Sequence, residues 1–139
     1  MDLTELIQKA REAKEKAYAP YSGFHVGAAL LCKDGTIFTG CNIENSAYGP
    51  TNCAERTAIF KAVSEGYREF EAIAIISDSK DLTSPCGVCR QVMAEFCEAD
   101  FEVIMLNCDG RYTSATLAEL LPYAFSLKEE KLATAPELS

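Results

Sequence analysis

Two almost uninterrupted apolar runs, FEAIAIIS at residues 70–77 and FEVIMLN at residues 101–107, constrain the fold of this chain more than any other feature. Each has the length of a strand, and a strand without polar alternation belongs to a sheet covered on both faces. Part of that cover lies between them: after a polar loop at 77–85, residues 86–97 read as a helix. Another helix is expected at 3–17, where Leu3, Leu6, Ile7, Ala10, Ala13 and Ala17 share one face before Pro20 and Gly23 break the pattern. FHVGAALLC at 24–32 reads as a strand, turned through Lys33-Asp34-Gly35 into TIFTGCNIE at 36–44.

Residues 45–52 are loop-like, with Gly49-Pro50 as the breaker. Thr51 or Asn52 is expected to cap a helix that runs to about Ser64 and stops at Gly66. Past the second apolar run, Asp109-Gly110 turns the chain into a short edge segment at 111–114, and a last helix at 117–121 ends at Pro122. This alternation implies an α/β fold: a three-layer α/β/α domain with a mixed five-stranded sheet, spanning residues 1–127. The polar tail at 128–139 is assigned no role.

At 139 residues and 48 % apolar content, the chain makes one domain with a real core. Its 21 acidic residues outnumber 13 basic ones for a formal net charge of −8, and no Lys/Arg cluster interrupts the acidity. Such a surface repels a phosphate backbone, so polymeric nucleic acid is a poor partner and a small neutral ligand a compatible one. No apolar stretch approaches the roughly 18 residues of a membrane span. The opening MDLTELIQKAREAKEKA is unlike a secretory signal, so a cytoplasmic protein with no membrane partner is expected.

Seven cysteines in such a chain are thiols or metal ligands, not a disulfide framework. Cys32, Cys41, Cys97 and Cys108 stand singly in or beside apolar segments and read as small buried hydrophobes. His25, the sole histidine, reads as structural. Cys86-Gly87-Val88-Cys89 differs, because two cysteines three apart on a helix face the same way and can reach one ion. Pro85 fixes the chain just ahead of that first turn. Cys53, in Asn52-Cys53-Ala54-Glu55-Arg56, stands at another expected helix start. If both helix starts converge at one sheet edge, three thiolates leave the fourth tetrahedral position open, as in a catalytic zinc site.

Three thiolates leave zinc with net negative charge and weaken it as a Lewis acid. Arg56, three residues after Cys53, is the candidate to offset this by hydrogen bonding to sulfur. Glu55 need not be a ligand, since a carboxylate beside the open position can move a proton from water to substrate. That requires a cavity at the helix tip, because residues two apart on a helix diverge. Two other readings are open. A C-x-x-C redox pair leaves Cys53 and Glu55 without a part, and a closed structural zinc lacks a fourth cysteine at ligand-like spacing.

Cys53-Ala54-Glu55 followed by Pro85-Cys86-Gly87-Val88-Cys89 resembles the zinc-dependent nucleoside and nucleotide deaminases, whose glutamate is not a zinc ligand. With NIENSAYGPTNCAERTA at 42–58, the chain is similar to the small free-cytidine deaminases from about residue 5 to residue 127. The resemblance implies one Zn2+ per chain on Cys53, Cys86 and Cys89, and hydrolysis of cytidine, with deoxycytidine, to uridine and ammonia in pyrimidine salvage. Hydroxide on the zinc would attack C4 of cytosine while Glu55 passes a proton to N3 and later to the departing amino group. Asn42 and Glu44 are implied to hold the ribose hydroxyls, Phe24 to pack on the pyrimidine, and the backbone of Ala54 to read the base edge. A homotetramer is implied too, with Tyr48 and Phe125 completing a neighbour's pocket. A deaminase of another cytosine-bearing molecule, such as a nucleoside antibiotic, is the competing reading, and the Asn42-Ile43-Glu44 element argues against it.

Overall fold

A computed structural model of the chain describes residues 2–128 and 134–136. Its elements run α1 (Leu3–Lys14), β1 (Val26–Cys32), β2 (Ile37–Cys41), α2 (Ala54–Ser64), β3 (Phe70–Ser77), α3 (Gly87–Phe96), β4 (Glu102–Leu106), β5 (Tyr112–Thr116) and α4 (Leu117–Leu120). Five strands form one sheet in the order β2-β1-β3-β4-β5. β1 is antiparallel to both β2 and β3, β3 and β4 are parallel, and β5 returns antiparallel along the edge. The expected three layers and mixed sheet are present.

The apolar runs bury both faces because successive side chains of a strand point to opposite sides. Ala74 and Ile76 of β3 join Ala29, Ile104 and Leu106 against Leu6 and Ala10 of α1. Ile73 and Ile75 join Leu30, Val103 and Met105 against Ala58, Ile59 and Ala62 of α2 and Cys89 and Met93 of α3. Two glycines set how closely the helices approach. A Cβ on Gly27 would lie 2.1 Å from the Ala10 carbonyl oxygen, and one on Gly40 would lie 2.5 Å from both Ala54 O and Ala58 N.

Several boundaries differ from expectation. α1 ends at Lys14, not at 17, because Lys16 and Ala17 close tight turns onto Ala13 and Lys14, and Tyr18 then bridges Ile43. β1 opens at Val26 and β2 closes at Cys41, both short of the expected limits. The cap of α2 is Cys53, not Thr51 or Asn52, and Asn52 bridges Ile43 instead. Cys86 is the N-cap of α3 and not its first helical residue. Of the four solitary cysteines only Cys32 is buried, while Cys41, Cys97 and Cys108 are half-buried. Residues 129–133 and 137–139 of the expected tail lie outside the described residues. Among the described residues, no helix is long and apolar enough to cross a membrane.

Strand direction decides where the chemistry sits. β2 and β3 are each antiparallel to β1, so they run the same way and end at the same edge of the sheet. The loop from β2 leads into α2 and the loop from β3 leads into α3. Both helix starts therefore meet at one place.

Candidate metal centre and active site

Cys53 caps α2, Cys86 caps α3, and Cys89 lies buried in the first turn of α3. Their sulfurs all fall within 4.8 Å of one another. The Cys53–Cys86 separation is 3.9 Å and the Cys86–Cys89 separation 3.4 Å. Tetrahedral zinc with Zn–S bonds of about 2.3 Å spaces its sulfurs about 3.8 Å apart, so the trio fits that ion. Thiolates are also soft donors of the kind zinc takes. Cys53 and Cys86 thus stand at the positive ends of α2 and α3.

Arg56 donates from Nη2 to Cys53 Sγ at 3.1 Å, as its spacing from Cys53 predicted. Hydrogen bonding from Cys89 and then from Arg56 brings the Cys53 thiol down to about 5. The bond to Cys53 and then burial push the Cys89 thiol up. Arg56 Nε is buried with no hydrogen-bond partner among the described residues.

Glu55 is the second residue of α2 and only 4 % exposed. Burial pushes its carboxyl above the ordinary carboxylate range. Because it sits at the helix tip, it shares a cavity of about 250 Å³ with Cys53 and Cys86. Phe24, Asn42, Glu44 and Ala54 line the same cavity. As the first residue of α2, Ala54 has a backbone N–H with no partner inside the helix. No lysine or arginine lines the cavity among the described residues.

Two lining residues also support the walls around them. Asn42 Oδ1 accepts from the Val26 N–H at 2.9 Å, and its Nδ2 donates to the Phe24 carbonyl at 2.8 Å. Glu44 Oε1 accepts from the backbone N–H groups of Tyr21 and Ser22 at 3.0 and 3.1 Å, and Oε2 bonds the Ser22 hydroxyl. Those bonds, the Ser22 hydroxyl foremost, lower the Glu44 carboxyl.

Tyr48 and Phe125 are not brought to this cavity. Tyr48 is 95 % exposed and lines an adjoining hollow of about 300 Å³ that shares Glu44 and Thr51 with it. Phe125 is 69 % exposed, and its carbonyl accepts from Gln91 Nε2 at 3.0 Å. His25 is tied to Asp78, consistent with a structural part. Asp78 and Arg90 hold the loops around the site and were not singled out by the sequence. The partners of Asp78 and the Leu120 partner of Arg90 lie in distant segments, so no spacing betrays them; only the position of Arg90 directly after Cys89 and close to Ser84 and Pro85 was a hint.

The family model of the cytidine and deoxycytidylate deaminase zinc-binding region matches residues 1–105. The chain is 57 % identical over 129 residues to a cytidine deaminase of Sporosarcina psychrophila, covering 93 % of this chain and 95 % of that one. A crystal structure of cytidine deaminase from Burkholderia pseudomallei matches with a TM-score of 0.87 at 50 % identity, covering 90 % of this chain and 100 % of that one. A blasticidin-S deaminase of Bacillus cereus is 34 % identical over 130 residues, covering 88 % of this chain and 91 % of its own.

Proposed function

Because this chain belongs to the cytidine and deoxycytidylate deaminase family, we propose that it hydrolyses free cytidine, with deoxycytidine, to uridine or deoxyuridine and ammonia. One observation carries this reading: the cysteine trio and the buried Glu55 carboxyl open onto one cavity with Phe24, Asn42 and Glu44. Zinc held by Cys53, Cys86 and Cys89 supplies the Lewis acidity that makes a water nucleophilic near neutral pH. Glu55 takes a proton from that water, gives it to N3 of the pyrimidine, and later carries one to the amino group leaving C4. Water and cytidine are thereby balanced by uridine and ammonia. A raised carboxyl pKa suits this double duty, since the group must both accept and donate near the working pH.

Phe24 covers the face of the base, the Ala54 backbone meets its edge, and Arg56 offsets the thiolate charge through its bond to Cys53. Asn42 and Glu44 take the ribose hydroxyls; Asn42 keeps one amide hydrogen and one lone pair beyond its bonds to residues 24 and 26. The Glu44 carboxylate, with no basic residue lining the cavity among the described residues, opposes a phosphate and favours a nucleoside over a nucleotide. The working form is a homotetramer in which Tyr48 and Phe125 reach a neighbour's pocket, supported by the exposure of both rings. Seven free thiols fit a reducing, cytoplasmic setting. Catalysis resides in one domain, residues 1–127.

Similarity to a blasticidin-S deaminase keeps a bulkier cytosine compound as a second reading. Turnover by the zinc-loaded protein, followed by ultraviolet absorbance with cytidine and with blasticidin S, separates the two. Cytidine is expected to be consumed, and Glu55→Gln to slow it by about 10²–10⁴-fold with zinc content unchanged. Consumption of blasticidin S alone would favour the second reading. A folded, zinc-bearing protein that converts neither would refute deamination of both.

A further inference from the structure

The chain between the end of β3 at Ser77 and the cap of α3 at Cys86 has no regular structure of its own, yet it must deliver a metal ligand to a fixed point. One side chain fixes its last stretch. Arg90 donates from Nε to the Pro85 carbonyl at 2.8 Å, from Nη2 to Ser84 Oγ at 2.6 Å, and from Nη1 to the Leu120 carbonyl at 2.8 Å. Every nitrogen of the guanidinium is engaged. Its backbone N–H meanwhile bonds the Cys86 carbonyl at 3.0 Å. Pro85 is fully buried, and Ser84 lines the reaction cavity beside Cys86. The next residue, Gln91, fastens the Phe125 carbonyl, so consecutive residues of α3 bind both α4 and the segment that follows it.

We propose that Arg90 is a positioning residue of the metal turn: its planar fork holds Ser84 and Pro85 against the end of α4 and so keeps the sulfur of the next residue, Cys86, in register with Cys53 and Cys89. The role is geometric. All three acceptors of the fork are neutral oxygens, so no ion pair is being made. A guanidinium presents rigid, diverging N–H groups, whereas a lysine ammonium is a point donor that cannot hold three such acceptors in one plane. Arg90 also differs from Arg56, which bonds a sulfur directly.

The inference rests on zinc binding by the three cysteines, and its test reads the metal itself. Zinc release to a chromogenic chelator and the thiolate bands of the cobalt(II)-substituted protein are compared in wild type, Arg90→Lys and Ser84→Ala. Leu6→Ala, on the opposite face of the sheet, controls for stability alone. Arg90→Lys should release zinc about tenfold faster or more and shift the cobalt bands, with Ser84→Ala falling between it and wild type. Leu6→Ala should release zinc at the wild-type rate even at an equal loss of Tm.

Wild-type release and spectra in Arg90→Lys would overturn the proposal. So would equal acceleration in Leu6→Ala at matched Tm, which would make Arg90 a contributor to stability only. Should Arg90→Lys fail to fold, wild-type behaviour of Ser84→Ala is sufficient to reject it. A wild-type protein that holds no zinc would sink the cysteine reading and this inference together. A zinc-bearing wild type with unaffected variants would sink only the role of Arg90.

Discussion

Asp78 takes three donors: the backbone N–H and the ring Nδ1 of His25, each at 2.8 Å, and Lys14 Nζ at 3.1 Å. Burial works against its ionisation, but the bonds from His25 and Lys14 outweigh it and hold the carboxyl at about 2 against an ordinary 3.8. A carboxyl depressed by folding adds stability in full above its unfolded pKa, and loses it as pH falls through the folded value. The Tm of the wild type should therefore exceed that of Asp78→Asn at neutral pH, and the two curves should converge between about pH 4 and pH 2. Parallel melting curves across that range would show that the three bonds add nothing to stability. Nothing in the sequence marked Asp78, because its partners lie 53 and 64 positions away. The cysteines and Glu55 were legible for the opposite reason. Metal chemistry admits few residue types, and two of the three ligands declare themselves by spacing within one helical turn. The cavity walls at Phe24, Asn42 and Glu44 were read only through family resemblance, since each alone is an ordinary strand-end residue.

Among the elements, α2 depends most on what it crosses. Its first two turns lie over Gly40 of β2, where a Cβ would meet backbone atoms of Ala54 and Ala58. Backbone cannot step aside as a flexible side chain does, so Gly40→Ala must push the start of α2 outward, and Cys53 and Arg56 with it. A stability loss of about 1–3 kcal/mol is expected from such overpacking. Zinc bound per chain should fall as well, measured by metal analysis on the folded fraction; full occupancy would show that the helix shifts without carrying its cap. The existence and type of each element were legible, and β3 matched to the residue because its apolar run is bounded by polar segments. Ends failed where tertiary contacts decided them. Ala17 continues the apolar face of α1, but the pairing of Tyr18 with Asn42 and Glu44 draws the chain away earlier. Cysteine is not a habitual cap, and Cys53 makes no side-chain capping bond, so the start of α2 was assigned to its polar neighbours.

At the scale of the whole molecule, strand order brings together what the chain separates. No local pattern states that β1 pairs with both β2 and β3, yet that pairing aims both metal-bearing loops at one edge. The proposed tetramer is a further level, at which the exposed Tyr48 and Phe125 would face a neighbouring chain. Light scattering should report four chains per particle, and Tyr48→Ala and Phe125→Ala should lose turnover while retaining zinc. A fully active monomer would take both rings out of the site.

Asn42 and Glu44 are at once boundary and scaffold, and this limits how the pocket can be refitted to another ligand. Removing the Asn42 amide frees the backbone on either side of His25, beside Phe24. Removing the Glu44 carboxylate frees residues 21 and 22, just upstream on the same stretch of chain. On the proposed roles, an alteration aimed at the sugar would thus be transmitted to the surface that meets the pyrimidine. A search for new specificity has to vary residues 21–26 jointly with positions 42 and 44, because single substitutions there change the room and its supports in one stroke.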